Sequence, residues 1–254
     1  MKLKDLLKNV EITSIIGNVD VDIKNVCIDT KSITEKSLFI CINGANYDGH
    51  DCVEKAREYG ACALIVEREV DSSLPQIKVK NSRKAMSTVA SNFYGNADKK
   101  LRIIGVTGTN GKTTTSHFIT AIMTYANYKC GLIGTLGVFY DNKPIEATLT
   151  TPDPLILHKI FSDMVECGVE VVIMEVSAHA VYYDKLYGIN FEYVAFTNFT
   201  QDHLDFFKNM ERYQEAKLKL FRENQIGCVV SNSDDDLCRK IEKIFDKTIT
   251  YGID

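Results

Sequence analysis

Gly108-Thr109-Asn110-Gly111-Lys112-Thr113-Thr114 is the stretch of this sequence with the plainest chemistry. Glycines at both ends of the turn let backbone N–H groups point inward around an anion, Lys112 supplies a mobile positive charge, and the Thr113 hydroxyl is an oxygen ligand suited to magnesium. Together they form a cradle for nucleotide phosphates, with Lys112 reaching the β- and γ-phosphates. The general pattern GxxxxGK[ST] is not met in full, because Val106 stands where its first glycine would be. Downstream, Glu175 closes the apolar run Val169 to Met174, a place where a carboxylate can hold the magnesium that bridges phosphates. Taken alone, Glu175 reads equally as an ordinary strand-end acid. His203 lies between Asp202 and Asp205, open to three readings: metal ligand, general base or loop residue. Lys217, in Glu215-Ala216-Lys217-Leu218-Lys219, reads from its spacing as a solvated helix lysine. Thr150 and Thr151 offer adjacent hydroxyls on backbone held extended before Pro152, and Asp153 and Pro154 then suit the N-cap and first position of a helix.

The elements around these residues follow from apolar spacing. Leu101 to Val106 reads as a buried strand, and the helix expected from Thr113 carries Phe118, Ile119, Ile122 and Met123 on one face. Strand, glycine loop and helix make a first βα unit. Val169 to Met174, Tyr193 to Thr197 and Gly227 to Ser231 follow as short apolar runs separated by helical pattern, which predicts a parallel sheet with helices on both faces. Upstream, Leu38 to Ile42 and Ala61 to Val66 read as strands, Val53 to Tyr59 as a helix ended by Gly60, and Ala85, Val89 and Phe93 as the buried face of another helix. Tyr94 to Lys100 then replaces periodicity with Gly, Asn and charge, so we expect a small α/β domain at 1–98 and a P-loop-type, mostly parallel α/β domain at 99–254.

With 254 residues and 45% apolar composition the chain can bury packed cores, which excludes a disordered or disulfide-stapled protein. Thirty basic against 34 acidic residues give a net charge of −4, so no global field draws nucleic acid or anionic membrane. Anions must be caught locally. The eight cysteines contain no CxxC pair and sit mostly in apolar runs, which predicts buried free thiols in a reducing compartment. No run approaches the roughly 18 apolar residues of a membrane span, and the N-terminus leads into an amphipathic segment, so a cytoplasmic protein is expected.

The run Gly105 to Thr114 resembles the ATP-binding loop of the Mur ligase superfamily, the ATP-dependent amide-forming enzymes of peptidoglycan precursor synthesis and their folate-polyglutamate relatives. Phe196-Thr197-Asn198-Phe199-Thr200-Gln201-Asp202-His203-Leu204-Asp205, followed by Met210, Tyr213 and Ala216-Lys217, is similar to the muramoyl-tripeptide synthetase branch. The resemblance implies ATP and magnesium as cofactors, with Glu175 and His203 as magnesium ligands beside Thr113. It also implies a Lys217 carbamylated by carbon dioxide, whose added carboxylate helps hold a second magnesium. It assigns Thr150, Thr151, Ser177 and Lys185 to the UDP-muramoyl peptide, and Thr30, Asn46 and Tyr47 to a uracil and pyrophosphate pocket in the first domain. The implied reaction passes the γ-phosphoryl of ATP to UDP-N-acetylmuramoyl-L-alanyl-D-glutamate. The acyl phosphate is then attacked by the amine of a diamino acid, meso-diaminopimelate or L-lysine.

Departures from the family's pattern stand at three places. Ser-Ser-His-Gly is here Ser177-Ala178-His179-Ala180, an arginine is replaced by Lys185, and Asp-Ser-Arg becomes Asp29-Thr30-Lys31. Lysine keeps the charge and loses the bidentate fork. By resemblance the family continues past Asp254 into the rest of the central domain and a third, Rossmann-like domain, so a fragment is expected, and a monomer. Two other readings remain: a nucleotide and UDP-sugar-binding module without the complete reaction, and another superfamily ligase of cyanophycin or folate type, against which the UDP-binding type of first domain speaks.

Overall fold

Short apolar runs bounded by Gly, Asn and Asp become strands along the whole chain. In the computed structural model, which describes residues 1–44, 47–140, 143–145 and 149–253, they assemble into two compact units, Met1–Asn96 and Ala97–Asp254.

The first unit contains α1 (Leu3–Leu6), β1 (Ile12–Ile16), β2 (Asn25–Cys27), β3 (Ser37–Ile40), α2 (Val53–Glu58), β4 (Ala61–Val66), β5 (Gln76–Val79) and α3 (Ser82–Phe93). Its sheet runs β1-β5-β4-β3-β2, with β1 antiparallel to β5 and the other pairs parallel. Periodicity finds β3, β4, α2 and α3, and Gly60 takes φ +107° just past α2, a conformation that favours glycine. Strands β1, β2 and β5 escape it. They are three to five residues long, and four of the five residues of β1 are exposed, so no buried alternation marks it.

The second unit carries β6 (Arg102–Thr107), α4 (Lys112–Tyr125), β7 (Cys130–Gly134), β8 (Gly137–Tyr140), β9 (Lys143–Ile145), α5 (Pro154–Glu166), β10 (Val171–Glu175), α6 (Ala178–Tyr182), β11 (Asn190–Phe196), α7 (Leu204–Phe207), α8 (Met210–Glu223), β12 (Gln225–Asn232), α9 (Asp236–Ile244) and β13 (Thr248–Tyr251). The sheet order is β13-β12-β11-β6-β10-β7-β8-β9. From β13 to β7 every pair is parallel, and β8 and β9 extend that edge as an antiparallel hairpin. Both faces are covered, as alternation along β10 shows. Val172 and Met174 pack with Leu157, Phe161 and Met164 of α5, while Val171 and Ile173 pack with Ile119 and Met123 of α4. Leu218, Leu220 and Phe221 of α8 and Leu237 and Ile241 of α9 join the first of these clusters.

Two expectations need correction. Phe118 and Ile122 do not share the buried face of α4: each is 66% exposed, while Ser116 is fully buried and Ile119 and Met123 are half-buried. The glycine loop fixes where the helix starts and therefore its rotational phase, and that phase turns Ser116, Ile119 and Met123 toward the sheet. Of the eight cysteines, all free, only Cys27, Cys41 and Cys238 are buried and the other five are half-buried.

Candidate nucleotide and substrate site

In an open parallel sheet the ligand crevice lies beyond the carboxyl ends of the strands, where the strand order reverses. Here β6 starts the unit, α4 carries the chain to β7, β10 returns beside β6, and β11 pairs with the other side of β6. Register aligns Glu175 of β10 with Val106 and Phe196 of β11 with Thr107, so Glu175, the glycine loop and Thr197-Asn198 converge. Glu175 and the glycine loop border a cavity of about 450 Å³ that is also lined by Thr150, Thr151, Ser177, Lys185, His203 and Lys217. Every second-domain residue singled out from the sequence therefore faces one space.

The loop is latched from β11. Thr109 N donates to Asn198 O at 2.8 Å and Asn110 N to Asn198 Oδ1 at 3.0 Å, while Thr197 Oγ1 and Asn198 Nδ2 donate to Asn110 O at 2.6 and 3.1 Å. Gly108 takes φ +146°, and a Cβ there would overlap the Thr197 hydroxyl, so glycine is required by close approach as well as by backbone angle. Gly111 takes φ +83° and stands at the N-cap of α4. The Lys112 ammonium folds back onto Gly108 O at 3.0 Å and Thr109 O at 2.9 Å. Burial lowers its affinity for the proton, against the opposing charges of Glu175 and Asp202.

Glu175 is 1% exposed, yet both carboxylate oxygens are satisfied. Oε2 accepts from Thr113 Oγ1 at 3.0 Å and Thr135 Oγ1 at 3.1 Å, and Oε1 from Thr135 N at 3.0 Å. A buried carboxylate beside a threonine hydroxyl is a hard oxygen donor set that fits magnesium, which keeps waters and phosphate oxygens for its other positions. Among the described residues no group of three His, Cys, Asp or Glu is arranged to hold a metal. His203, expected as a third ligand, takes φ +53° and directs Nε2 to Asp202 Oδ2 at 3.4 Å. Its ring stands edge-on to His179 at 4.9 Å and to Tyr213 at 5.8 Å.

Lys217 overturns its reading as a solvated lysine. It is 2% exposed, with Nζ 4.9 Å from the Tyr213 ring centre and, among the described residues, no carboxylate within ion-pair distance. Burial, and then the charge of Lys112, push its ammonium down to about 7. Tyr213 in turn is fixed by its hydroxyl, 3.2 Å from Thr109 Oγ1. The amphipathic spacing of α8 puts Tyr213, Ala216, Lys217 and Leu220 on its buried side, so the lysine enters the protein with its apolar neighbours.

On the opposite wall Thr151 Oγ1 donates to Glu175 O at 2.9 Å and lies 3.3 Å from Ser177 Oγ, which accepts from Ala180 N at 3.2 Å as the N-cap of α6. Asp153 occupies the N-cap position of α5, followed by Pro154, but makes no side-chain cap. Its carboxylate goes to Lys185 Nζ at 2.8 Å, because an ammonium outcompetes a backbone N–H for it. Thr135, Asp202, Tyr213 and His179 also line the cavity. Thr135 was missed as a site residue; its one signal is a Gly-Thr pair closing the apolar run Leu132-Ile133.

Three of the expected residues belong to the first unit. Thr30 opens a short 3-10 turn, half-buried, where Asp29 Oδ1 accepts from Lys31 N at 3.0 Å. Tyr47 is 59% exposed, and Asn46 lies outside the described residues. Next to Tyr47 in the chain, Asp48 caps a braced 3-10 turn, Gly49–Cys52. Asp48 Oδ1 accepts from His50 N at 3.0 Å and lies 2.6 Å from His50 Nδ1, whose Nε2 accepts from Glu67 N at 2.9 Å.

Residues 106–254 match the Mur ligase middle domain family, and residues 22–94 match a domain described as Mur ligase family, catalytic domain. A UDP-N-acetylmuramoyl-L-alanyl-D-glutamate–2,6-diaminopimelate ligase from Clostridium tetani is 44% identical over all of this chain and 53% of its own length. A ligase of the same name from Clostridium acetobutylicum is also 44% identical, again with 100% of this chain and 53% of the relative covered. Among solved structures, one of a ligase of that name superposes with a TM-score of 0.85 at 26% identity, covering 99% of this chain and 52% of the other. The chain spans about half the length of the curated relatives it matches.

Proposed function

The chain belongs to the Mur ligase family, and from that premise we propose that it carries the nucleotide-binding and UDP-muramoyl-binding parts of an ATP-dependent ligase. The acceptor is UDP-N-acetylmuramoyl-L-alanyl-D-glutamate and the added group a diamino acid, which the names of the relatives give as 2,6-diaminopimelate for those proteins. The observation that carries this reading is the meeting of the glycine loop, Glu175 and buried Lys217 around one cavity whose other wall holds Thr150, Thr151, Ser177 and Lys185.

The γ-phosphoryl of ATP passes to the glutamate carboxylate, and an amine then displaces phosphate from the acyl phosphate through a tetrahedral intermediate. Backbone N–H groups of Gly108 to Thr114 and the N-terminal end of α4 bind the phosphates. Lys112, released from the loop carbonyls, follows the charge that builds on the transferring group. Thr113 and Glu175 would hold magnesium, with His203 added by resemblance; the ion would supply charge stabilisation at the phosphoryl oxygens. Thr150, Thr151, Ser177 and Lys185 orient the acceptor, and Thr30, Asn46 and Tyr47 bind the uridine diphosphate end in the first unit.

Lys217 is the modification site in this reading. An amine that loses its proton near pH 7 presents a lone pair to carbon dioxide; the N–C bond forms, a proton leaves, and the product is a carbamate anion. The new negative charge turns repulsion from Lys112 into attraction. Intact-mass spectrometry in bicarbonate, quenched by methylation of the carbamate, tests for the adduct and for its loss in Lys217→Met. A cytoplasmic site of action belongs to the same proposal; among the described residues no helix is long and apolar enough to cross a membrane.

Calorimetric titration with UDP-N-acetylmuramoyl-L-alanyl-D-glutamate and with Mg·ADP, beside a phosphate-release assay with each diamino acid, tests the whole reading. Binding of both ligands supports it, and absence of dipeptide binding by folded protein overturns the acceptor. Binding of both without amide product selects the binding-module reading.

A further inference from the structure

Glu175 is shaped for by a pair of residues to which neither the glycine loop nor the substrate wall gives a role. A Cβ built at Gly134 would overlap the Glu175 carboxylate, so this strand end admits the carboxylate only because residue 134 is glycine. The next residue grips it twice, Thr135 N at 3.0 Å from Oε1 and Thr135 Oγ1 at 3.1 Å from Oε2. A carboxylate only accepts, so the single hydroxyl proton of Thr135 is committed to Glu175. The 3.0 Å contact between Thr135 Oγ1 and Thr150 Oγ1 therefore runs from Thr150 to Thr135. A directed chain, Thr150 to Thr135 to Glu175, links the substrate wall to the carboxylate that also receives Thr113.

We infer that Thr135 is a positioning residue: its N–H and hydroxyl hold the Glu175 carboxylate in line with Thr113 for magnesium, and its hydroxyl couples that carboxylate to acceptor binding at Thr150. The inference rests on the proposed function. Fixing a carboxylate by a second donor lowers the reorganisation needed when the cation arrives, and removing such a partner costs roughly 10–100-fold in metal affinity.

The experiment is calorimetric titration of the 254-residue chain with ADP across a magnesium series and in EDTA, with and without UDP-N-acetylmuramoyl-L-alanyl-D-glutamate. Thr135→Val keeps the shape and removes the hydroxyl; Thr135→Ser restores it; Thr135→Ala replaces the valine variant if that one does not fold. Without the hydroxyl, the magnesium concentration for half-maximal ADP binding rises by roughly 10-fold or more, ADP binding in EDTA is unchanged, and Thr135→Ser stays near wild type. The dipeptide shifts the magnesium midpoint of wild type and not of Thr135→Val. An unchanged midpoint in Thr135→Val, or an equal loss of ADP binding in EDTA, overturns the positioning role. A shift kept in Thr135→Val, or absent from both, overturns the coupling. Wild-type protein that binds no Mg·ADP overturns instead the proposed function on which the inference stands.

Discussion

A primary amine shut away from water at Lys217 makes stability depend on pH near neutrality. In the folded chain its proton is lost near pH 7, in the unfolded chain near the ordinary lysine value of 10.5. Between those limits the unfolded state binds the proton and the folded state does not, so stability rises with pH by about 1.4 kcal/mol per unit; below pH 7 the full cost of burying the charge is present. The thiols of Cys27 and Cys41 act in the opposite sense. Burial pushes them up to about 11 and about 12, so above roughly pH 9 the folded state holds protons that the unfolded state has released. Urea unfolding in carbon-dioxide-free buffer should show stability climbing from pH 7 to 8.5 and then turning over. Lys217→Met should flatten the climb near neutrality and keep the fall above roughly pH 9. At the starts of α5 and α6 the structure decides which side chain caps its helix: Ser177 does and Asp153 does not. Ser177→Ala should cost about 1 kcal/mol with no ligand present, because it loses the cap of α6. Asp153→Ala, at the start of α5, should cost under about 0.5 kcal/mol in the same unfolding measurement, since its carboxylate caps nothing and only pairs with Lys185.

The strand, loop and helix from β6 to α4 behave as one element whose geometry is set at its glycines. Gly108→Ala places a side chain against Thr197 and the Asn198 backbone, the residues that latch the loop. Mg·ADP titration should then show affinity weakened by at least roughly tenfold, with far-UV circular dichroism unchanged, because the inward N–H groups are lost before the strand or helix is. The same element presents Phe118, Ile122 and Tyr125 to solvent, on a helix with no charged residue from Thr113 to its end. Phe118→Lys with Ile122→Lys should change unfolding free energy by less than about 0.5 kcal/mol each and lower the fluorescence of an apolar dye, since neither side chain is part of the core.

Across the whole chain, the sheet of the second unit decides what the site contains. Its order sets β6 between β10 and β11, so residues 60 to 110 positions apart in sequence share one crevice. Much of this was legible beforehand. The glycine loop, Glu175 at a strand end and the parallel strands β6, β10, β11 and β12, though not β7 or β13, follow from residue type and period, because glycine at positive φ and apolar alternation are local properties of the chain. Short strands such as β1, β2 and β5, and the β8–β9 hairpin, were not legible, since their stability comes from neighbours in the sheet. Helix phase in α4 was misread for a related reason: the loop, not the apolar count, sets it. By itself the sequence determined the glycine loop between a strand and a helix, the α/β class and the list of polar residues able to serve a site. Only the tertiary structure decided that Lys217 is buried, that Asp153 serves Lys185, and that Gly134-Thr135 grips Glu175. Burial and hydrogen-bond partners are properties of which elements meet, and a residue's own neighbours in sequence do not carry that information.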